Sequence, residues 1–194
     1  MNAMKSFAVV AIAALSCVTG PSIAGDNDDA AQTRQQLDAM SDQALKNLFA
    51  EERGAKQLYK QAAGYAVFRA TKGGFLVTGA GGTGVAVNKK TERKTYMHMG
   101  SGGVGLGAGL QNYRLIVLFQ TQAALDKFIE HGWDASTSAQ AAAGKAGVSA
   151  TSSFTDGLAV YQLTDKGLMA QADLSGTHFW KSDKLNPPSH APGS

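Results

Sequence analysis

Residues 72–90 read KGGFLVTGAGGTGVAVNKK and residues 100–119 read GSGGVGLGAGLQNYRLIVLF. Glycine in both runs alternates with short apolar residues, and a basic segment joins them. Gly79-Ala-Gly81-Gly-Thr-Gly84 and Gly100-Ser-Gly102-Gly-Val-Gly105 both fit the spacing G-x-G-x-x-G. A dinucleotide fingerprint also needs a helix straight after the glycines, whose N-terminus meets the pyrophosphate, and an acidic residue about 20 positions on. Val85-Ala-Val87 follows the first match and Leu106–Leu110 the second, and both are strand-like. Neither run ends in Gly-Lys-Ser/Thr. Phosphate cradling is therefore rejected, and the glycines are read as bends or close backbone approaches in a small, crowded β core.

Outward from that core, the remaining strands follow from alternation. Tyr65–Phe68 is a strand, Gly73-Gly74 turns the chain into a second at Phe75–Thr78, and Val85–Val87 continues it. Asn88–Arg93 is a hairpin tip, Thr95–Met99 returns, and Leu115–Phe119 is an apolar run of the buried type. Leu158–Leu163 and Leu168–Leu174 pair across Thr164–Gly167, and His178–Trp180 adds a last short strand. Residues 133–150, almost wholly Ala, Ser, Thr and Gly, fit either a loop or a thin strand.

Helices flank this core. Thr33–Met40 forms one, and Ser41 caps a second whose apolar side carries Leu45, Leu48, Phe49, Ala55, Tyr59 and Ala62. Gly54 weakens its middle, so the pattern admits two helices with a joint. Thr121 caps Gln122–His131, which ends where Gly132 offers a C′ glycine.

The 194 residues suffice for one domain with a real core. A formal net charge of +3 permits attraction to anionic surfaces without the strongly basic footprint of a nucleic-acid binder. Residues 1–24 read as a signal peptide: Lys5, an apolar Phe7–Leu15, a Gly20-Pro21 break and Ser22-Ile-Ala24 before a cut. Cys17 is the single cysteine, so no internal disulfide forms. Ala14-Leu-Ser-Cys17 is similar to a lipidation box with its leucine displaced by one; Cys17 is thus either a lipidation site or a residue removed with the signal. Residues 25–31 are expected as a flexible lead-in, 32–185 as the domain and 186–194 as a disordered tail. The expected location is the cell envelope, periplasmic or outer-membrane-associated, with a secreted form as the alternative.

Chemistry is sparse. His98, His131, His178 and His190 are dispersed, none at metal-ligand spacing from another, and no nucleophile elbow exists. Neither a catalytic residue, a metal site nor a cofactor is expected. What stands out is charge: Lys89, Lys90, Arg93 and Lys94 crowd one hairpin tip, and Arg53, Lys56 and Lys60 run along a helix flank. Near an anionic surface each cation contributes about 1 kcal/mol.

Several passages, in order, resemble the SYLF domain, also called the Ysc84 family. They are Gly64-Tyr-Ala-Val-Phe68, residues 72–85, residues 103–119, Ala141-Ala-Ala-Gly144 and residues 161–176 around Lys166-Gly-Leu168. The resemblance implies a β-barrel-like core with helices packed on it. It also implies binding to membrane phospholipids, notably phosphoinositides in eukaryotic members, and actin binding by some fungal relatives through flanking regions. It brings no catalytic residues. The expectation is an α+β fold with a glycine-rich antiparallel β-barrel-like core and about three surface helices. Its function is expected to be weak, non-enzymatic binding of anionic headgroups, with an envelope scaffold that binds a protein partner as the alternative.

Overall fold

A computed structural model describes residues 24–132, 153–169, 174 and 176–187. The order is α1 (Ala24–Glu51), α2 (Arg53–Gln61), β1 (Gly64–Asn88), β2 (Lys94–Phe119), α3 (Gln122–His131), β3 (Leu158–Thr164), β4 (Gly167–Leu168) and β5 (Thr177–Lys181). The fold is α+β. All pairings are antiparallel, in the order β1-β2-β3-β4, with β5 also on β2.

The core is one long ribbon. β1 has 25 residues and β2 has 26. Drawn out straight, such strands would reach about 80 Å, far beyond the roughly 30 Å width of a small domain. They therefore fold over. Gly73-Gly74, expected as a turn between two strands, instead lies inside continuous β1, and the register with β2 shifts between Gly74 and Leu76. Beyond this irregularity the second half of β1 returns alongside the first. A Cβ on Gly84 would stand 2.2 Å from the Val67 carbonyl oxygen, and one on Gly82 would stand 2.3 Å from that of Arg69. Glycine is needed there because backbone meets backbone. The sheet is not closed, so barrel-like describes it only loosely.

Each face of the ribbon is buried against a different layer. Phe68, Leu115, Val117, Phe119, Met97 and Phe179 point into a cluster with Leu125 and Phe128 of α3. Tyr65, Val67, Val85, Ile116 and Leu118 point the other way, onto Leu37, Ala44, Leu48 and Leu58 of α1 and α2. Burial on both faces explains why residues 115–119 are apolar throughout rather than alternating.

α1 runs unbroken for 28 residues. The expected flexible lead-in at 25–31 is therefore helical, and Ser41 is a buried residue within the helix, not the cap of a second one. Ala30, Leu37 and Ala44 recur every seven residues on the buried side and hold the helix to the sheet. The break comes after Glu51: Glu52 leaves helical geometry (φ −132°, ψ 100°) and its side chain accepts from the Gly54 amide at 2.8 Å, capping α2. α3 has the expected bounds, with Thr121 accepting from Ala124 N and Gly132 at φ 68°. The second strand of the last hairpin is described only at Gly167–Leu168. Asn186, placed in the disordered tail by sequence, is held firmly: its amide group donates to the carbonyls of Tyr96 and Ser182, at 2.6 and 2.7 Å. Residues 1–23, with Cys17 and the signal segment, 133–150 and 188–194 lie outside the described residues.

Candidate functional site

The hairpin tip between β1 and β2 is shaped by Asn88, whose side-chain oxygen accepts from the Lys90 and Thr91 amides at 3.0 and 3.1 Å. Asn88 N donates to Arg93 O and closes the turn, and Glu92 takes positive φ, 56°. This rigid tip is docked on the C-terminal end of α2. The Lys89 amide donates to Ala63 O, and its ammonium donates to the carbonyls of Tyr59, Lys60 and Ala62. Those carbonyls are among the ones a helix end leaves without partners, and they carry the negative end of its dipole. Lys89 is thus a helix cap made by a side chain 27 to 30 residues away. Its own partial burial pushes the ammonium pKa down.

Docking sets the other basic residues. Lys90 and Arg93 are exposed on the tip, Lys60 is exposed on the adjoining last turn of α2, and Lys56 is exposed one turn before it. Among the described residues, the side chains of Lys56, Lys60, Lys90 and Arg93 meet no acidic partner within ion-pair distance. Arg53 stands on the same helix flank but at the opposite end of α2. Lys94 turns the other way, toward α1, where it pairs with Asp38 at 2.7 Å. Asp38 also accepts from the Tyr96 hydroxyl at 3.3 Å. Burial first, and then Asp38, raise the Tyr96 phenol to about 12. Of the seven cations singled out by sequence, the structure brings Lys60, Lys89, Lys90 and Arg93 together where the tip docks and leaves Lys56 one turn back along α2. It sets Arg53 apart and neutralises Lys94.

Behind the tip lies a cleft of about 930 Å³. Arg93, Lys94 and Lys181 line it together with Asp126, Ile129 and Glu130 of α3 and Leu185. Sequence did not single out Lys181, Asp126 or Glu130, which come from segments far apart in the chain. Among the described residues, no group of three or more His, Cys, Asp or Glu side chains could hold a metal ion. No described helix is long and apolar enough to cross a membrane.

Residues 100–189 match a family model described as Ysc84, Las17-binding protein actin regulator. Beta cell expansion factor A of Aeromonas veronii is 38% identical over 151 residues, which cover 78% of this chain and 58% of that protein. Residues 100–189 belong to the Ysc84 family. This chain therefore spans little more than half the length of the relative it matches. The Ysc84 segment begins inside β2 and includes α3 and β3 to β5, so it contains Lys181, Asp126 and Glu130 of the cleft. The basic tip and α2 lie upstream of it.

Proposed function

We propose that this Ysc84 protein is a non-enzymatic binder of anionic phospholipid headgroups, of the phosphoinositide type, acting weakly and electrostatically at the cell envelope. The supporting observation is the docked tip. Lys89 neutralises the negative end of α2, and the tip it anchors carries exposed Lys90 and Arg93 beside exposed Lys60. The turn that presents these cations is itself held by hydrogen bonds, and attraction to a charged surface is screened by salt. Family membership supports a binding role rather than a catalytic one.

The test is co-sedimentation with vesicles of phosphatidylglycerol or a phosphoinositide in a phosphatidylcholine background, across a salt series. Removing two cations, as in Lys90→Ala/Arg93→Ala, should lose about 2 kcal/mol, or roughly 30-fold in affinity. Unchanged binding would overturn the site assignment.

A second reading, an envelope scaffold that binds a protein partner, is favoured by Trp180, the one exposed large hydrophobic among the described residues, at 49%. Trp180→Ala would abolish capture of such a partner and leave vesicle binding intact.

A further inference from the structure

The cleft behind the tip has a charge pattern unlike that of the tip itself. Lys94 on its rim is already neutralised by Asp38. What remains in the lining is two cations, Arg93 and Lys181, and two carboxylates, Asp126 and Glu130. All four side chains are exposed. Among the described residues, Asp126 uses one carboxylate oxygen, Oδ1, to accept from Gln122 Nε2 at 2.7 Å and keeps Oδ2 open, and Glu130 has a 3.9 Å contact with the exposed His131. At about 930 Å³ the cleft is in the size range of small-molecule sites.

A lining with two charges of each sign disfavours a purely anionic ligand. Whatever Arg93 and Lys181 gain from a phosphate, Asp126 and Glu130 oppose. A ligand carrying both charges finds a favourable partner for each. Its cation is a primary ammonium rather than a quaternary one, because carboxylates accept its N–H bonds and, among the described lining residues, Tyr96 is the only aromatic, too few for an aromatic cage.

We infer that this cleft binds a phosphodiester bearing a primary ammonium, the phosphate on Arg93 and Lys181 and the ammonium on Asp126 and Glu130. The glycerol portion would meet the neutral polar part of the lining, Asn88, Thr91 and Asn186. The inference rests on the headgroup reading only through Arg93, which the tip and the cleft share. It adds a recognition step, selective by charge pattern, to an attraction that is not.

Titration of the full chain with soluble glycerophosphoethanolamine, followed by amide chemical shifts, tests it. The expected result is shifts centred on Ile129, Glu130, Lys181 and Asn186, with an affinity on the order of ten-fold tighter than for inorganic phosphate, ethanolamine or glycerophosphocholine. Asp126→Lys/Glu130→Lys, both exposed on α3, should reverse the order so that inorganic phosphate binds better. Equal affinity for phosphate and glycerophosphoethanolamine, or shifts elsewhere, would overturn the proposal. Vesicles with and without phosphatidylethanolamine separate a membrane source from a free headgroup. Lys60→Glu/Lys90→Glu should abolish binding to phosphatidylglycerol vesicles and leave the soluble titration unchanged, so failure of the tip and failure of the cleft read out separately.

Discussion

The ammonium of Lys89 sits 4.4 Å from the centroid of the Tyr59 ring while donating to the Tyr59 carbonyl. One side chain from a hairpin tip thus meets both the face of an aromatic residue and the backbone of its helix. The contact makes Lys89 the tie between the ribbon and α2. Lys89→Met should cost about 2 kcal/mol of stability, since it leaves helix-end carbonyls without a charged donor and removes a cation–π contact. Urea unfolding measures this. Vesicle binding by the folded variant should fall less than in Lys90→Met.

The glycines of the ribbon divide into two groups. Gly82→Ala and Gly84→Ala drive a methyl into the backbone at Arg69 and Val67 and should each cost 2 kcal/mol or more, on the order of an overpacked core site. Gly81 and Gly102 have nothing within 4 Å of the same methyl. Alanine there should be neutral or add about 0.5 kcal/mol by restricting the unfolded chain. Melting temperatures of the four variants separate the groups.

Tyr161 is fully buried, and its hydroxyl has no hydrogen-bond partner among the described residues. Tyr161→Phe removes an unsatisfied polar atom while keeping the ring, so it should leave stability unchanged or raise it by about 1 kcal/mol. A loss of 2 kcal/mol in urea unfolding would contradict this.

Alkaline pH should weaken the fold through three tyrosines. Burial is the main cause that raises Tyr65, Tyr96 and Tyr161 to about 12, from 10. Below pH 10 folded and unfolded chains both keep these protons. Between 10 and 12 the unfolded chain releases them first and binds fewer protons, so stability falls as pH rises. Denaturation midpoints from pH 9 to 12 should drop, and Tyr96→Phe/Tyr161→Phe should flatten the decline.

Asp38→Asn should strengthen attraction to anionic vesicles. It removes an acid and frees Lys94 beside the tip, while the exposed pair it breaks contributes at most about 1 kcal/mol to stability. Tighter co-sedimentation at low salt, lost at high salt, is the expected outcome.

Local chemistry was legible in the residues. Thr121 and Gly132 bounded α3 because cap and C′ glycine act within a turn, and Asn88–Arg93 announced the tip because turn residues act on their own backbone. The unbroken α1 was not legible: Ser41 carries a cap signature, and only packing of Ala30, Leu37 and Ala44 on the sheet overrides it. Gly73-Gly74 suggested a turn because nothing local tells a bent strand from two strands. The role of Lys89 was hidden for a related reason: charge marked it as a cation, but its partners are carbonyls, which look alike at every position. The cleft draws Arg93, Asp126 and Lys181 from three separate segments, and no spacing rule joins them.

β2 is the shared partner of β1, β3 and β5. The Ysc84 segment, beginning at Gly100, therefore cuts through the spine of the sheet. A polypeptide started there would keep residues 113–119 paired with β3 but would strip them of β1 on their other edge, and would expose Ile116 and Leu118 where α1 and α2 cover them. Such a fragment would present an open, apolar edge of the kind that aggregates. The length over which the family is recognised is thus shorter than the length that must fold together, and the upstream ribbon and helices are an inseparable part of the same unit.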